Sequence, residues 1–374
     1  MAGLIGSEFL FIVVLLSFSI GCLAATPPVV KAAYYPSWRS FSPSDVDTSL
    51  FTHIFYAFLI PNNVTYKFEI DNSTALLLSN FTATLHNKTP SVKALFSIGG
   101  GGDATRTLLA RMASSQTTRQ TFINSAIETA RNLGFDGIDI DWEYPQTQEE
   151  MQDLESLFQE WRQAIKAEAE ATNRAPLLLT AAVNFSVKIF WPVPLSYSVQ
   201  SINQNLDWVN AMCYDYHGNW DTSVTGAHAA LYDPNSNIST SYGLTSWVQA
   251  GVDPKKVVMG LPLYGRTWTL RDPNQHNIGS PAVGVGPGPD GVLTLTEVEQ
   301  FNKEKNATVV YDTATGSTYS FAGTSWIGYD DATSVNTKIR YAKSLGLGGY
   351  FLFAISYESG WEISRQASEA WSNP

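Results

Sequence analysis

Asp136-Gly137-Ile138-Asp139-Ile140-Asp141-Trp142-Glu143-Tyr144-Pro145 alternates apolar and acidic residues from Ile138 to Glu143. In a β-strand successive side chains point to opposite faces, so Asp139, Asp141 and Glu143 share one face while Ile138, Ile140 and Trp142 share the other. Acids this close cannot all ionise without cost, which predicts a shared proton and raised pKa values. A carboxylic acid kept protonated near neutrality can serve as a proton donor. Burying three acids on an apolar strand is expensive, and a salt-bridged or metal-bound cluster is the competing explanation. No cationic or ligand-rich segment accompanies the strand. Asp136 has the opposite parity and reads as structural, capping the turn into the strand.

Short apolar runs rich in β-branched and aromatic residues recur on either side, separated by helical patterns. Strands are expected near 29–38, 51–59, 91–99, 135–144, 175–183, 206–216, 257–265 and 346–355. Helices are expected over 117–133, 149–171 and 332–344, where apolar residues recur every three to four positions. Eight strands hydrophobic along their length imply burial on both faces, as in a closed α/β barrel; an open doubly wound sheet is the alternative. A barrel places its chemistry at the C-terminal strand ends. The gap between the seventh and eighth strands exceeds one helix. Residues 269–324, rich in Gly, Pro and Thr, predict a small inserted α+β subdomain with strands at 292–296 and 307–311, and a helix over 295–302 competing with the first.

The chain has 374 residues and a formal net charge of -11. That charge argues against nucleic acid, which needs clustered Lys and Arg. Aromatics reach 13% with 11 Trp, which suits a flat, weakly charged ligand, although most such rings belong in cores. The apolar stretch from Phe9 to Ile20 is too short to span a bilayer and reads as a signal peptide over 1–24 cut near Ala24, despite lacking a preceding Lys or Arg. Seven Asn-x-Ser/Thr sequons, at Asn63, Asn72, Asn80, Asn87, Asn184, Asn237 and Asn306, agree with secretion, extracellular or vacuolar. Loss of Cys22 with the leader leaves Cys213, which excludes an intrachain disulfide and reads as a buried thiol. There is no metal-spaced His/Cys set, and Gly99 to Gly102 lack a following Lys-Ser/Thr. The sequence therefore predicts no metal, no other cofactor, no membrane partner and a monomer.

The acidic segment resembles the Asp-x-x-Asp-x-Asp-x-Glu motif of glycoside hydrolase family 18, and its wording is similar to the plant class V chitinases. Ser97-Ile98-Gly99-Gly100, Met212-Cys213-Tyr214-Asp215 and Leu261-Pro262-Leu263-Tyr264-Gly265-Arg266 resemble further motifs of that family, in order. The resemblance implies a (β/α)8 TIM barrel over 25–374, with the insertion lying between strand 7 and helix 7. It implies cleavage of chitin or N-acetylglucosamine oligosaccharides within the chain by a substrate-assisted retaining route. Glu143 would be the general acid and then base, Asp141 would hold the acetamido group, Asp139 would share the proton and Tyr214 would donate to the acetamido oxygen. For substrate binding it implies Tyr34, Phe58, Met212, Asp215 and Arg266, with Trp268 and Phe353 as further aromatics at strand ends. Where the family typically places a Trp after the eighth strand, this chain has Phe353, and Ser356-Tyr357-Glu358-Ser359-Gly360 also departs from the pattern. Weakened or redirected activity follows as an expectation, with a glycan-binding lectin as the alternative.

Overall fold

A computed structural model describes residues 29–190 and 192–373; the expected leader, Cys22 included, lies outside the described residues. Eight parallel strands close into a barrel: Val30–Pro36, His53–Leu59, Lys93–Gly99, Gly137–Asp141, Leu178–Asn184, Trp208–Met212, Val257–Pro262 and Gly349–Phe353. The last pairs with the first, Val30 opposite Gly349, so the sheet has no open edge. The chain forms the (β/α)8 barrel expected of it, and the open doubly wound sheet is ruled out.

Local signals set the helix ends. In helix Gln116–Leu133, the Ser115 side chain accepts from Thr118 N, and Gly134 closes the C-terminus at φ 77°, a left-handed conformation that costs glycine little. Helix Gln148–Thr172 buries Met151, Leu154, Leu157, Phe158, Trp161, Ile165 and Ala169, a stripe at three- and four-residue spacing that turns one face to the barrel. Ile138 and Ile140 join this layer between strands and helices. The barrel interior is a separate core that includes Tyr34, Phe55, Leu95, Trp208, Met212, Val258 and Phe351.

The seventh strand differs from expectation. The run over 257–265 is not one strand, because the chain changes sheets at Leu263. Its N–H donates to Phe353 O of the barrel, while its carbonyl accepts from Leu295 N of the insertion. Tyr264–Leu270 then forms the middle of an antiparallel sheet, flanked by Ala282–Val285 and Ser325–Tyr329, with Ser317–Ala322 and Thr308–Asp312 beyond. The inserted sheet therefore begins with Tyr264 and ends with Tyr329. The competition around 292–302 resolves into both elements in succession. Val292–Thr294 is a strand, and Thr294 and Glu297 form a capping box that starts helix Leu295–Glu304.

Candidate active site

Register across three neighbouring strands builds the floor of the site. Ser97 pairs with Asp139, and Asp139 with Thr180, so three polar side chains occupy one row inside the barrel. Asp139 is wholly buried and accepts three hydroxyl hydrogen bonds, from Thr180 at 2.6 Å, Ser97 at 2.7 Å and Tyr34 at 2.9 Å. Burial pushes its pKa up and the three donors pull it partly back. Tyr34 was expected to line a sugar pocket, but it is 1% exposed and serves as one of these donors. Its hydroxyl in turn accepts from Asn210 Nδ2 at 3.1 Å.

One step up the strand, Asp141 is buried and its Oδ1 has no hydrogen-bond partner among the described residues. Burial, then the charges of Glu143 and Asp139, drive its pKa well above the usual carboxylate range. The strand itself ends at Asp141, and Glu143 lies just beyond it, half-buried. Burial and then the charge of Asp215 push the Glu143 pKa up to about 7. Such a carboxyl can donate a proton near neutrality. The raised pKa values expected for the acid column are present, and Asp136 is structural in a different way from that expected. Its carboxylate accepts from Ala94 N at 2.9 Å, Lys93 Nζ at 2.7 Å and His86 Nε2 at 2.7 Å, tying the third strand and the end of helix Asn72–His86 to the fourth strand rather than capping its own turn.

The glycines of Ser97-Ile98-Gly99-Gly100 have a packing reason. A Cβ on Gly99, at φ 118°, would stand 2.0 Å from Asp141 O, which also accepts from Gly100 N at 2.9 Å. Gly101 borders the acid: a Cβ there would lie 3.4 Å from Glu143 Oε1, in ordinary contact with it.

The opposite wall comes from the end of the sixth barrel strand and the first strand of the insertion, Tyr264–Leu270. Asp215 takes Arg266 Nε at 2.9 Å on Oδ1 and Nη2 at 2.8 Å on Oδ2, a forked pair. Burial opposes ionisation of Asp215, but the His228 ring and the Arg266 guanidinium facing it prevail and hold the carboxyl below its ordinary range. Arg266 stacks on Trp220, 4.9 Å from the guanidinium carbon to the ring centroid. Phe353, Tyr214 and Tyr34 form an aromatic cluster, with Phe353 5.6 Å from Tyr34 and 6.2 Å from Tyr214 between centroids. Met212 is buried beneath them. Phe58 stacks on Trp38 at 5.9 Å, and Trp38 is 53% exposed.

Trp268 is not part of the cleft. It is fully buried in the inserted subdomain against Trp326 and gives its indole N–H to Asp221 O at 2.8 Å. The chain has already left the barrel at Leu263, so Trp268 stands inside the insertion rather than at a barrel strand end. Trp220, 59% exposed and stacked on Arg266, is the Trp that borders this wall. Tyr264 and Tyr357 also join the aromatic wall, with centroids 6.1 Å from Tyr214 and 6.4 Å from Phe353 respectively. Tyr264 stood in the quoted seventh-strand motif; the position of Trp220, in an irregular stretch, carried no periodic signal. Glu358, in the segment that departs from the family pattern, is structural. It accepts from Ile363 N, Ser364 N and Ser364 Oγ and so closes the start of helix Glu362–Ser372.

The family described as "Glycosyl hydrolases family 18" matches residues 30–358. A Nod factor hydrolase from Medicago truncatula is 51% identical over 348 residues, covering 91% of this chain and 90% of that protein. A class V chitinase from Nicotiana tobaccum, solved as a mutant in complex with NAG4, is 40% identical, has a TM-score of 0.88, and the match covers 92% of this chain and 99% of that one. A chitinase-like agglutinin from Robinia pseudoacacia is 39% identical with a TM-score of 0.84, over 91% and 99% of the two chains. With the acidic motif at the end of the fourth barrel strand and the family match spanning nearly every described residue, the chain belongs to glycosyl hydrolase family 18, among the plant class V chitinases.

Proposed function

We propose that the protein cleaves chitin and chito-oligosaccharides within the chain, by the substrate-assisted retaining route, with Glu143 protonating the leaving oxygen and then activating water. The observation that carries this reading is Glu143, whose pKa stands near 7 at the end of the fourth strand, above a buried Asp141 oxygen that lacks a partner. A sugar acetamido N–H supplies the donor that oxygen lacks. Held by Asp141, the acetamido oxygen attacks the anomeric carbon as Glu143 gives its proton to the departing oxygen. Tyr214 donates its hydroxyl to the acetamido oxygen, and Asp139, whose charge raises the Asp141 pKa, shares the proton when charge develops. Asp215 and Arg266 hold sugar hydroxyls, Trp220 and Phe58 with Trp38 offer ring faces to neighbouring sugars, and Phe353 forms the floor. The substrate supplies the nucleophile and the carboxyls supply the proton, so the route calls for no metal and no cofactor.

Relatives named for hydrolysis of Nod factor and for agglutination mark two directions in which the same site could be turned. Retention of Glu143, Asp141 and Tyr214 favours hydrolysis over binding alone. Incubation with chitin hexamer and mass analysis of the products tests the reading: shorter N-acetylglucosamine oligomers are expected, with or without chelator. Cellulose oligomers and fully deacetylated chitosan lack the acetamido group and are expected to stay intact. Hexamer bound but never cut would favour the lectin alternative. Glucose oligomers cut at a comparable rate would contradict the substrate-assisted route.

A further inference from the structure

His228, between the sixth barrel strand and helix Thr240–Gln249, is 1% exposed, and neither of its ring nitrogens has a hydrogen-bond partner among the described residues. Leaving such groups unserved is costly unless the site uses them. Its Nδ1 stands 3.6 Å from Asp215 Oδ1, just beyond hydrogen-bond reach. The His228 carbonyl accepts from Tyr216 N at 2.9 Å, which ties its segment to the residue following Asp215. The ring also lies against Tyr264, 5.2 Å between centroids. Three charged groups act on it: Asp215, Arg266 and Asp330. Asp330 is already committed to Lys338 Nζ, 2.6 Å from each carboxylate oxygen, and to Ser334 Oγ at 2.7 Å. Arg266 is a donor and cannot accept. Asp215 is left as the acceptor for a ring N–H.

We propose that His228 is a positioning residue for Asp215, carrying its proton on Nδ1 and holding that carboxylate, opposite Arg266, within electrostatic reach of Glu143. The proposal rests on the reading of Glu143 as the acid. Burial lowers the His228 pKa, so the ring is neutral near pH 7 and has one N–H to place. Without it the forked pair with Arg266, whose guanidinium stacks on the exposed Trp220, is the main hold on Asp215. The carboxylate then follows Arg266 outward, Glu143 loses part of the neighbouring charge, and it gives up its proton at lower pH.

The test is the pH profile of kcat/KM for chito-oligosaccharide hydrolysis. His228→Leu is expected to move the basic limb down by about half a pH unit or more. His228→Asn keeps an N–H facing Asp215 and is expected to leave the limb in place. In an Asp215→Asn background His228→Leu is expected to add no further shift. A Leu variant that slows the reaction equally at every pH, with the limb unmoved, would overturn the proposal. If that variant does not fold, 15N NMR of labelled histidine in the wild-type protein decides, with the His228 signal assigned through His228→Asn. An Nδ1–H tautomer is expected and an Nε2–H tautomer overturns the inference. Because the tautomer is read without substrate, this outcome is separable from a wild-type protein that fails to hydrolyse.

Discussion

Where the fourth barrel strand begins, Asp136 accepts hydrogen bonds from a backbone N–H, a lysine and a histidine, and its pKa is lowered despite burial. Where the strand gives out, Asp141 has an oxygen with no partner among the described residues, and Glu143 is pushed up to about 7. The two ends share a backbone but not a purpose. At the N-terminal end, donors from the third strand and from the end of helix Asn72–His86 satisfy the charge and stabilise the barrel. At the C-terminal end the charge is left wanting, and that unmet demand is what a substrate can answer. Stability and reactivity separate along the strand axis, as the barrel architecture allows.

The contrast is broken most strongly at its reactive end. Glu143→Gln keeps the shape and removes the transferable proton, so kcat on chitin oligomers should fall by about 10²–10⁴-fold, with oligomer affinity retained when measured by calorimetry. The folded protein should not suffer. A carboxyl whose folded pKa is raised contributes its stability below its unfolded pKa and loses it as pH rises through about 7. The Gln variant should therefore melt at the same temperature or higher in mildly alkaline buffer.

Trp268, expected at a strand end to meet substrate, instead fills the core of the insertion. Trp268→Ala should cost about 3–5 kcal/mol of stability by denaturant titration. The pH profile of whatever folded enzyme remains should not move. Trp220→Ala is the counterpart, with intact stability and weaker oligomer binding.

At the quiet end, Asp136→Asn should cost about 1–2 kcal/mol, because the amide can still accept from Ala94 N but loses the charge that Lys93 and His86 answer, of which Lys93 is exposed to solvent and screened. The sign follows from the lowered pKa. The Asp136 contribution is present above its unfolded pKa and lost as pH falls through the folded one. Wild type and variant should therefore converge in stability in strong acid while turnover near neutrality stays the same.

The smallest change concerns Phe353. It sits among Tyr34, Tyr214 and Tyr357, where a larger indole would add stacking area worth on the order of 1 kcal/mol. Phe353→Trp should raise turnover of chitin oligomers several-fold if the pocket admits the ring. A folded variant with equal or lower turnover would show that Phe353 does not limit the reaction.

What could be read in the sequence followed from regular periods. Parity within the fourth strand put Asp139 and Asp141 on the inner face, and near-continuous apolar runs marked all eight barrel strands. Legibility failed where tertiary context overrode the local pattern. Residues 257–265 look like one apolar strand, yet Leu263 breaks it, its N–H bonding to barrel residue Phe353 and its carbonyl to the helix that begins at Leu295 of the insertion, and Trp268 was misplaced with it. The row of Ser97, Asp139 and Thr180 depends on register between strands far apart in the chain, which no local signal reveals. His228 and Trp220 lie in irregular backbone, where a lone ring has no period to give it a direction.

Burial and the nearby charge of Asp215 keep Glu143 protonated near neutrality, and the basic limb of kcat/KM for chitin hexamer reads this directly. An acid active in its protonated form with a pKa near 7 should lose activity as pH rises through about 7. Replacing Asp215 by Asn should shift that limb to lower pH, because the neighbouring charge that helps hold the proton is gone. A limb already falling near the ordinary glutamate value of about 4.3, or one unmoved by Asp215→Asn, would contradict the account.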